Sequence, residues 1–282
     1  MSNRQIARDL RVAPSTIDRH IARLGRHCML FHLLQLQGHH DFDSSVVDGF
    51  ESFEYSQYHP FHHNLAADPE SHFFIYFNDS PLRRKGRMTA VQRTRRHEIE
   101  EALGRPDPKA IEKDMKELLE FVHRGKNRAT VSSDDHPAYK RSIKGLPLEV
   151  IHLVTPGKEH RDQHNRLYSV NLLDLLIRHS SANHKRETIA GSKRRQGSAE
   201  RLVIFLVWRN YMKGVSEKQR WSPTPAMLRG MVDRALQIPE VLSRRIFRTL
   251  MELPDRWAQY YDRAVETPAL GKQRRHELKY AY

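Results

Sequence analysis

Asp48, Asp134 and Asp174 are the residues of this chain best suited to act together. Asp48 follows Val46 and Val47 in a run that reads as a strand. Asp134 ends the short strand-like run ATVSS, and Asp174 sits among Leu172, Leu173, Leu175, Leu176 and Ile177 on a segment with helical spacing. Three carboxylates brought together repel one another unless cations bind between them. A pair of Mg²⁺ or Mn²⁺ ions relieves that repulsion, and oxygen-only ligands suit these ions better than zinc. Such a pair activates a water or a 3′-hydroxyl and stabilises the leaving oxygen of an in-line phosphoryl displacement. Each acid also has a plainer reading. Asp48 precedes Gly49 and could belong to a turn. Asp134 and Asp135 precede His136-Pro137, where one of them could cap the next helix. Asp134, directly after the strand, is taken as the ligand. Asp174 could simply pair with Arg178, four residues on. Glu187 is the alternative third acid, and Glu200 a weaker one.

The segment 169–195, SVNLLDLLIRHSSANHKRETIAGSKRR, joins Asp174 to a dense block of cations. Arg178, His184, Lys185, Arg186, Lys193 and Arg194 are the candidates for holding a DNA backbone near the reacting phosphate, and Arg195 ends the block. Solvation of a basic helix end is the competing account.

These residues need elements to hold them. Residues 3–10 are apolar at Ile6, Ala7 and Leu10; residues 11–13 form a turn; Pro14 starts a second helix with Ile17, Ile21 and Leu24 in phase. This is a helix-turn-helix pattern, in which Ser15, Thr16 and Arg19 would touch DNA. Arg11 occupies the turn position where Gly is commonest. Residues 25–37 continue as helix or linker. Residues 45–53 and 55–58 read as strand, as do 72–77 (HFFIYF), stopped by Asn78-Asp79-Ser80-Pro81. Residues 81–96 are basic and poor in apolar residues, reading as a mobile insertion or a DNA-contact loop. A helix over 108–124, strands over 129–133 and 149–154, and helices over 170–179, 199–212 and 224–261 follow. With the first and fourth strands adjacent, Asp48 and Asp134 would meet at neighbouring positions, and a helix crossing that end would bring Asp174 alongside.

The chain resembles the DDE-type transposases of bacterial insertion elements, in the ribonuclease-H-like superfamily. The resemblance covers residues 1 to about 214. It is carried by SNRQIARDL with STIDRHIARLGRHC, by VVDGFESF, by SSDDHPAY, and by N-x-x-D-x-x-x-R followed by R-E-T-I-A-x-S-K. It implies an α/β fold with a mixed five-stranded sheet and flanking helices over 42–214, with 81–105 as a basic insertion. A helix-turn-helix over 1–37 would precede it and a helical extension over 215–282 would follow. It further implies Mg²⁺-dependent strand cleavage and transfer, with terminal inverted repeats and target DNA as double-stranded partners, homo-oligomers on DNA, and a bacterial, nucleoid-associated setting. Relatives usually carry Glu at the position of Asp174 and often a Cys-rich zinc ribbon ahead of the helix-turn-helix, so an upstream segment is expected beyond this sequence. The rival readings are a catalytically inactive DNA-binding remnant and a metal-dependent nuclease that does not join strands.

Composition agrees with a nucleic-acid partner. The 282 residues carry 48 Lys and Arg against 34 Asp and Glu, a net charge of +14. The longest apolar run, 202–208, is too short to span a bilayer, which argues against a membrane protein. The start is polar and basic, without the apolar core of a secretory signal, and the single Cys28 excludes an intrachain disulfide framework or a CxxC zinc site, so a cytoplasmic location is expected. The 18 His include His59, His62 and His63 in HPFHH, but without the regular spacing of a zinc site.

Overall fold

The computed structural model describes residues 1–185 and 194–268. In chain order the elements are α1 (Asn3–Asp9), α2 (Pro14–Leu36), β1 (Ser44–Phe53), β2 (Pro60–Ala67), β3 (Phe74–Pro81), α3 (Ala90–Leu103), α4 (Ala110–Val122), β4 (Arg128–Asp134), α5 (Pro137–Lys144), β5 (Glu149–Thr155), α6 (Tyr168–Ser180), α7 (Arg195–Tyr211), α8 (Pro225–Leu228), α9 (Ile238–Ser243) and α10 (Asp255–Asp262). The five strands form one mixed sheet in the order β3-β2-β1-β4-β5. β1, β2 and β3 are an antiparallel meander, and β4 and β5 join β1 in parallel. Helices flank the sheet, an arrangement consistent with a ribonuclease-H-like fold.

β2 is absent from the sequence-based expectation. PFHHNLAA lacks a polar–apolar alternation because all of it except Pro60 is buried. Conversely, residues 54–59, partly expected as strand, form the β1–β2 connection, with Tyr55 at a φ of 58°. β3 runs through Asn78, Asp79 and Ser80, residue types that usually end a strand. They are retained because each is buried with partners: Asn78 donates to Glu117, Asn64 donates to Asn78 and Ser80, and Asp79 accepts from Arg195. The segment expected as one helix over 224–261 is three short α-helices, with Pro239 and Pro254 at the starts of the second and third.

α1 is capped by Ser2 and Gln5 in a reciprocal capping box. It ends in a Schellman turn: Val12 N–H donates to the Ala7 carbonyl (2.9 Å) and Arg11 N–H to the Arg8 carbonyl (3.2 Å), with Arg11 in the left-handed region at φ 54°. A side chain there costs about 1–2 kcal/mol of backbone strain. Arg11→Gly is expected to raise stability by about 0.5–1 kcal/mol after the entropy of glycine is subtracted, and melting by about 2 °C. A lower melting temperature in thermal denaturation would contradict this.

α2 starts at the expected Pro14 but runs unbroken to Leu36. Its first half packs on α1 through Ile17, and its second half enters the domain core through Met29, Leu30, Phe31 and Leu33. Gly25 permits close approach to α7, since a β-carbon there would lie 3.1 Å from the Glu200 backbone. The C-terminal α10 is also built in. Trp257 is fully buried and donates to the Phe77 carbonyl (2.9 Å), and Tyr260 donates to Asp79.

Candidate active site

The strand register sets the site. β1 and β4 run parallel with Val46 opposite Ser132, and the same register carried two residues further puts Asp48 level with Asp134. β4 ends there, so β1 continues past it and the two carboxylates lie where the sheet surface opens. Asp48 is followed by Gly49, whose missing side chain is required: a β-carbon would fall 2.0 Å from the His63 carbonyl on β2. Asp134 is held locally, its Oδ1 accepting the His136 N–H at 2.9 Å. His136, not an aspartate, caps α5 by accepting the Ala138 N–H. Asp135 is exposed.

Asp48 lies in strongly perturbed surroundings. Burial pushes its carboxyl up to about 6 from an ordinary 3.8, and the charges of Asp134 and Asp174 push the same way against the Gly49 N–H and Arg161. Tyr139, buried on α5, directs its hydroxyl at Asp48 Oδ1 at 3.4 Å. Tyr139 and Arg161 were not singled out from sequence. Tyr139 lies five residues after Asp134 within SSDDHPAY, so the motif held the signal. Arg161 lies on the exposed loop after β5, and nothing in its local sequence marks it.

Asp174 is on α6, which packs across β1 and β2, and its charge reaches Asp48. Its carboxylate is engaged elsewhere. Arg178 Nε donates to Asp174 Oδ1 at 2.8 Å and Oδ2 at 3.0 Å, with the guanidinium over the Phe50 ring at 5.0 Å. The helical i,i+4 pair is therefore formed, and it occupies the Asp174 carboxylate. Among the described residues no group of three or more His, Cys, Asp or Glu is arranged to hold a metal. Asp48 and Asp134 offer the oxygen donors that Mg²⁺ or Mn²⁺ takes, so that pair fits a divalent cation in donor chemistry. Asp174 fits only with Arg178 turned away. Glu200 is excluded: it is buried between α2 and α10, accepts from Gln196 (2.9 Å) and pairs with Arg263 (3.2 Å). Glu187 lies outside the described residues.

The expected DNA contacts separate into groups. Ser15 and Arg19 are exposed on α2 and Thr16 is half-buried beside them. Lys185 is exposed. His184 is not a surface residue: only 2% of it is exposed, it packs edge-on against Phe50 and His63, and burial holds its imidazole well below the usual range and uncharged. Arg178 is committed to Asp174. Arg194 is turned onto the C-terminal segment, donating to Thr267 and to the Pro268 carbonyl. Arg195 is buried against Glu54 and Asp79. Arg186 and Lys193 lie outside the described residues. His62 and His63 serve β2, bonded to Asn64 (2.9 Å) and Ser198 (2.8 Å). No described helix is long and apolar enough to cross a membrane.

No protein-family model matches the chain, and no curated protein sequence matches it. Among solved structures it is similar to a chain in the structure of the simian T-cell lymphotropic virus intasome in complex with PP2A regulatory subunit B56 gamma, at 15% sequence identity and a TM-score of 0.28. That match covers 66% of this chain and 53% of the matched chain, so this chain spans about half its length. A likeness this slight has no bearing on the site.

Proposed function

We propose that the chain is a divalent-metal-dependent DNA phosphoryl transferase of the transposase type, cutting element ends and joining them to target DNA as a homo-oligomer. The observation that carries this reading is the placement of Asp48 level with Asp134 on adjacent parallel strands of a ribonuclease-H-like sheet. A bound Mg²⁺ or Mn²⁺ would supply Lewis acidity and a lowered water pKa. The chain's own residues do the positioning. Tyr139 orients Asp48, the His136 N–H orients Asp134, and Arg161 adds positive charge at the mouth of the site. Asp174 would complete the set on release from Arg178, which would then be free to hold a phosphate.

The test uses the full chain on a duplex carrying inverted-repeat ends. Mg²⁺-dependent nicking followed by joining to a second duplex is expected, with both lost in Asp134→Ala. Nicking without joining would make the protein a nuclease. DNA binding without nicking would favour the inactive remnant, a reading to which the Asp174–Arg178 pair lends support.

A further inference from the structure

The segment after β3, expected as a mobile or DNA-contact loop, folds as a helical arm that buries none of its helix residues. α3 has 14 residues and none is buried; Val91 and Leu103 are exposed. An isolated helix of that length is marginal in water, so packing does not account for it. It is pinned at its ends. Thr89 and Gln92 form a capping box, and Glu100 takes a bidentate pair of hydrogen bonds from Arg83 (2.7 and 2.8 Å) while also facing Arg96 (3.5 Å). Arg84 lies over the Tyr58 ring at 4.8 Å, tying the root of the arm to the β1–β2 connection.

The charge pattern is one-sided. Two of the three acids of α3 are paired with arginine, Glu98 with Arg95 and Glu100 with Arg83 and Arg96, while the third, Glu101, has His97 beside it at 3.6 Å. Lys85, Arg87 and Arg93 are exposed and form no ion pair among the described residues. The topology aims this surplus. β3 runs in the same direction as β1, and Phe77 is level with Asp48 through Leu65. The chain leaves the sheet at Pro81, four residues past that level and at the end where Asp48 and Asp134 open. Four strand residues advance about 13 Å, the axial rise of roughly four base pairs.

We infer that the arm 82–103 is a second DNA-backbone contact, with Arg87 and Arg93, aided by Lys85, on phosphates a few base pairs from the one that reacts at Asp48 and Asp134. This deepens the proposed function and rests on it. The unpaired charge of the arm is complementary to a polyanion, and its exposed apolar side chains are few, Val91 near one end of α3 and Leu103 at the other.

The test compares full-length parent, Arg87→Ala/Arg93→Ala, and a control, Arg124→Ala/Arg128→Ala, which removes equal charge around the start of β4, at the opposite end of the sheet. Alanine is a good helix former, so circular dichroism should show α3 retained. Binding to a labelled duplex is followed by fluorescence anisotropy between about 50 and 200 mM salt. Each lost phosphate contact lowers the slope of log affinity against log salt by about 0.9, so the arm variant should lose about 1.8 and bind at least tenfold more weakly near 100 mM, while the control keeps the parent slope. An arm variant with the parent's slope, or a control losing as much, overturns the arm contact and leaves the function standing. A parent that binds no duplex overturns both.

Discussion

Asp48→Asn is expected to abolish strand cleavage and at the same time make the protein more stable. The substitution keeps the shape and an acceptor for the Tyr139 hydroxyl but removes a negative charge that burial, Asp134 and Asp174 all disfavour. Because the carboxyl titrates at about 6 in the folded chain and near 3.8 when unfolded, the folded state retains a proton across that window that the unfolded chain has released. Stability therefore falls as pH rises from about 4 to 6 and levels off above. The span corresponds to up to about 3 kcal/mol, so at neutral pH without divalent cations Asp48→Asn should melt several degrees above the parent. Below pH 4 the two should coincide. Added Mg²⁺ should raise the parent's melting temperature by mass action and leave the variant's unchanged. Cleavage should fall by roughly a thousandfold or more, the scale of losing a metal's charge stabilisation. Equal melting at neutral pH would show that Asp48 is not strained; a variant that still cuts would remove it from the site.

The largest loss of stability is expected from Arg195→Ala. Arg195 begins α7 and is almost wholly buried, donating from Nε to Glu54 (3.0 Å) and from its guanidinium to Asp79 (2.8 Å). Asp79, 1% exposed, also takes Tyr260 and faces Arg256 (3.7 Å). Burial alone would raise the Asp79 carboxyl; Arg256, Arg195 and Tyr260 outweigh it and hold it below the ordinary value. Removing Arg195 leaves the buried Glu54 carboxylate without its cation and takes from Asp79 one of its two cations, Arg256 remaining, at a cost of about 3–5 kcal/mol, or a melting temperature lower by roughly 10 °C. The coupling should appear in a double-mutant cycle with Glu54→Ala, with an interaction energy above about 1 kcal/mol; additive effects would show the pair to be independent. This residue closes the cation-rich block that reads in sequence as a DNA clamp, and the fold uses it as a bolt between the β1–β2 connection, β3 and the segment after α10, where it donates to the Glu266 carbonyl.

Much of the fold was legible in the sequence. Asp48 after two valines, Asp134 at a strand end, Pro14 at a helix start and the apolar spacing of residues 170–177 are local signals, because short-range geometry determines what a strand, a helix start or an amphipathic face requires. β2 was hidden because burial on both faces erases alternation, and β3 was cut short because turn-forming residues can sit in a strand when remote partners satisfy them. The roles of charged residues were the least legible. Chain position says that Asp174, Arg178, His184, Arg194 and Arg195 lie close together; only packing sends Arg178 to Asp174, His184 under Phe50, Arg194 to the C-terminal segment and Arg195 to Asp79. The sequence alone determined which carboxylates are candidates and that Asp48 and Asp134 sit on strands, since the strand pattern is local; the pairing of β1 with β4 that puts them level is a tertiary contact. The tertiary structure decided which charges are free and which are spent, since that depends on partners more than a hundred residues away, such as Glu54 and Asp79 for Arg195.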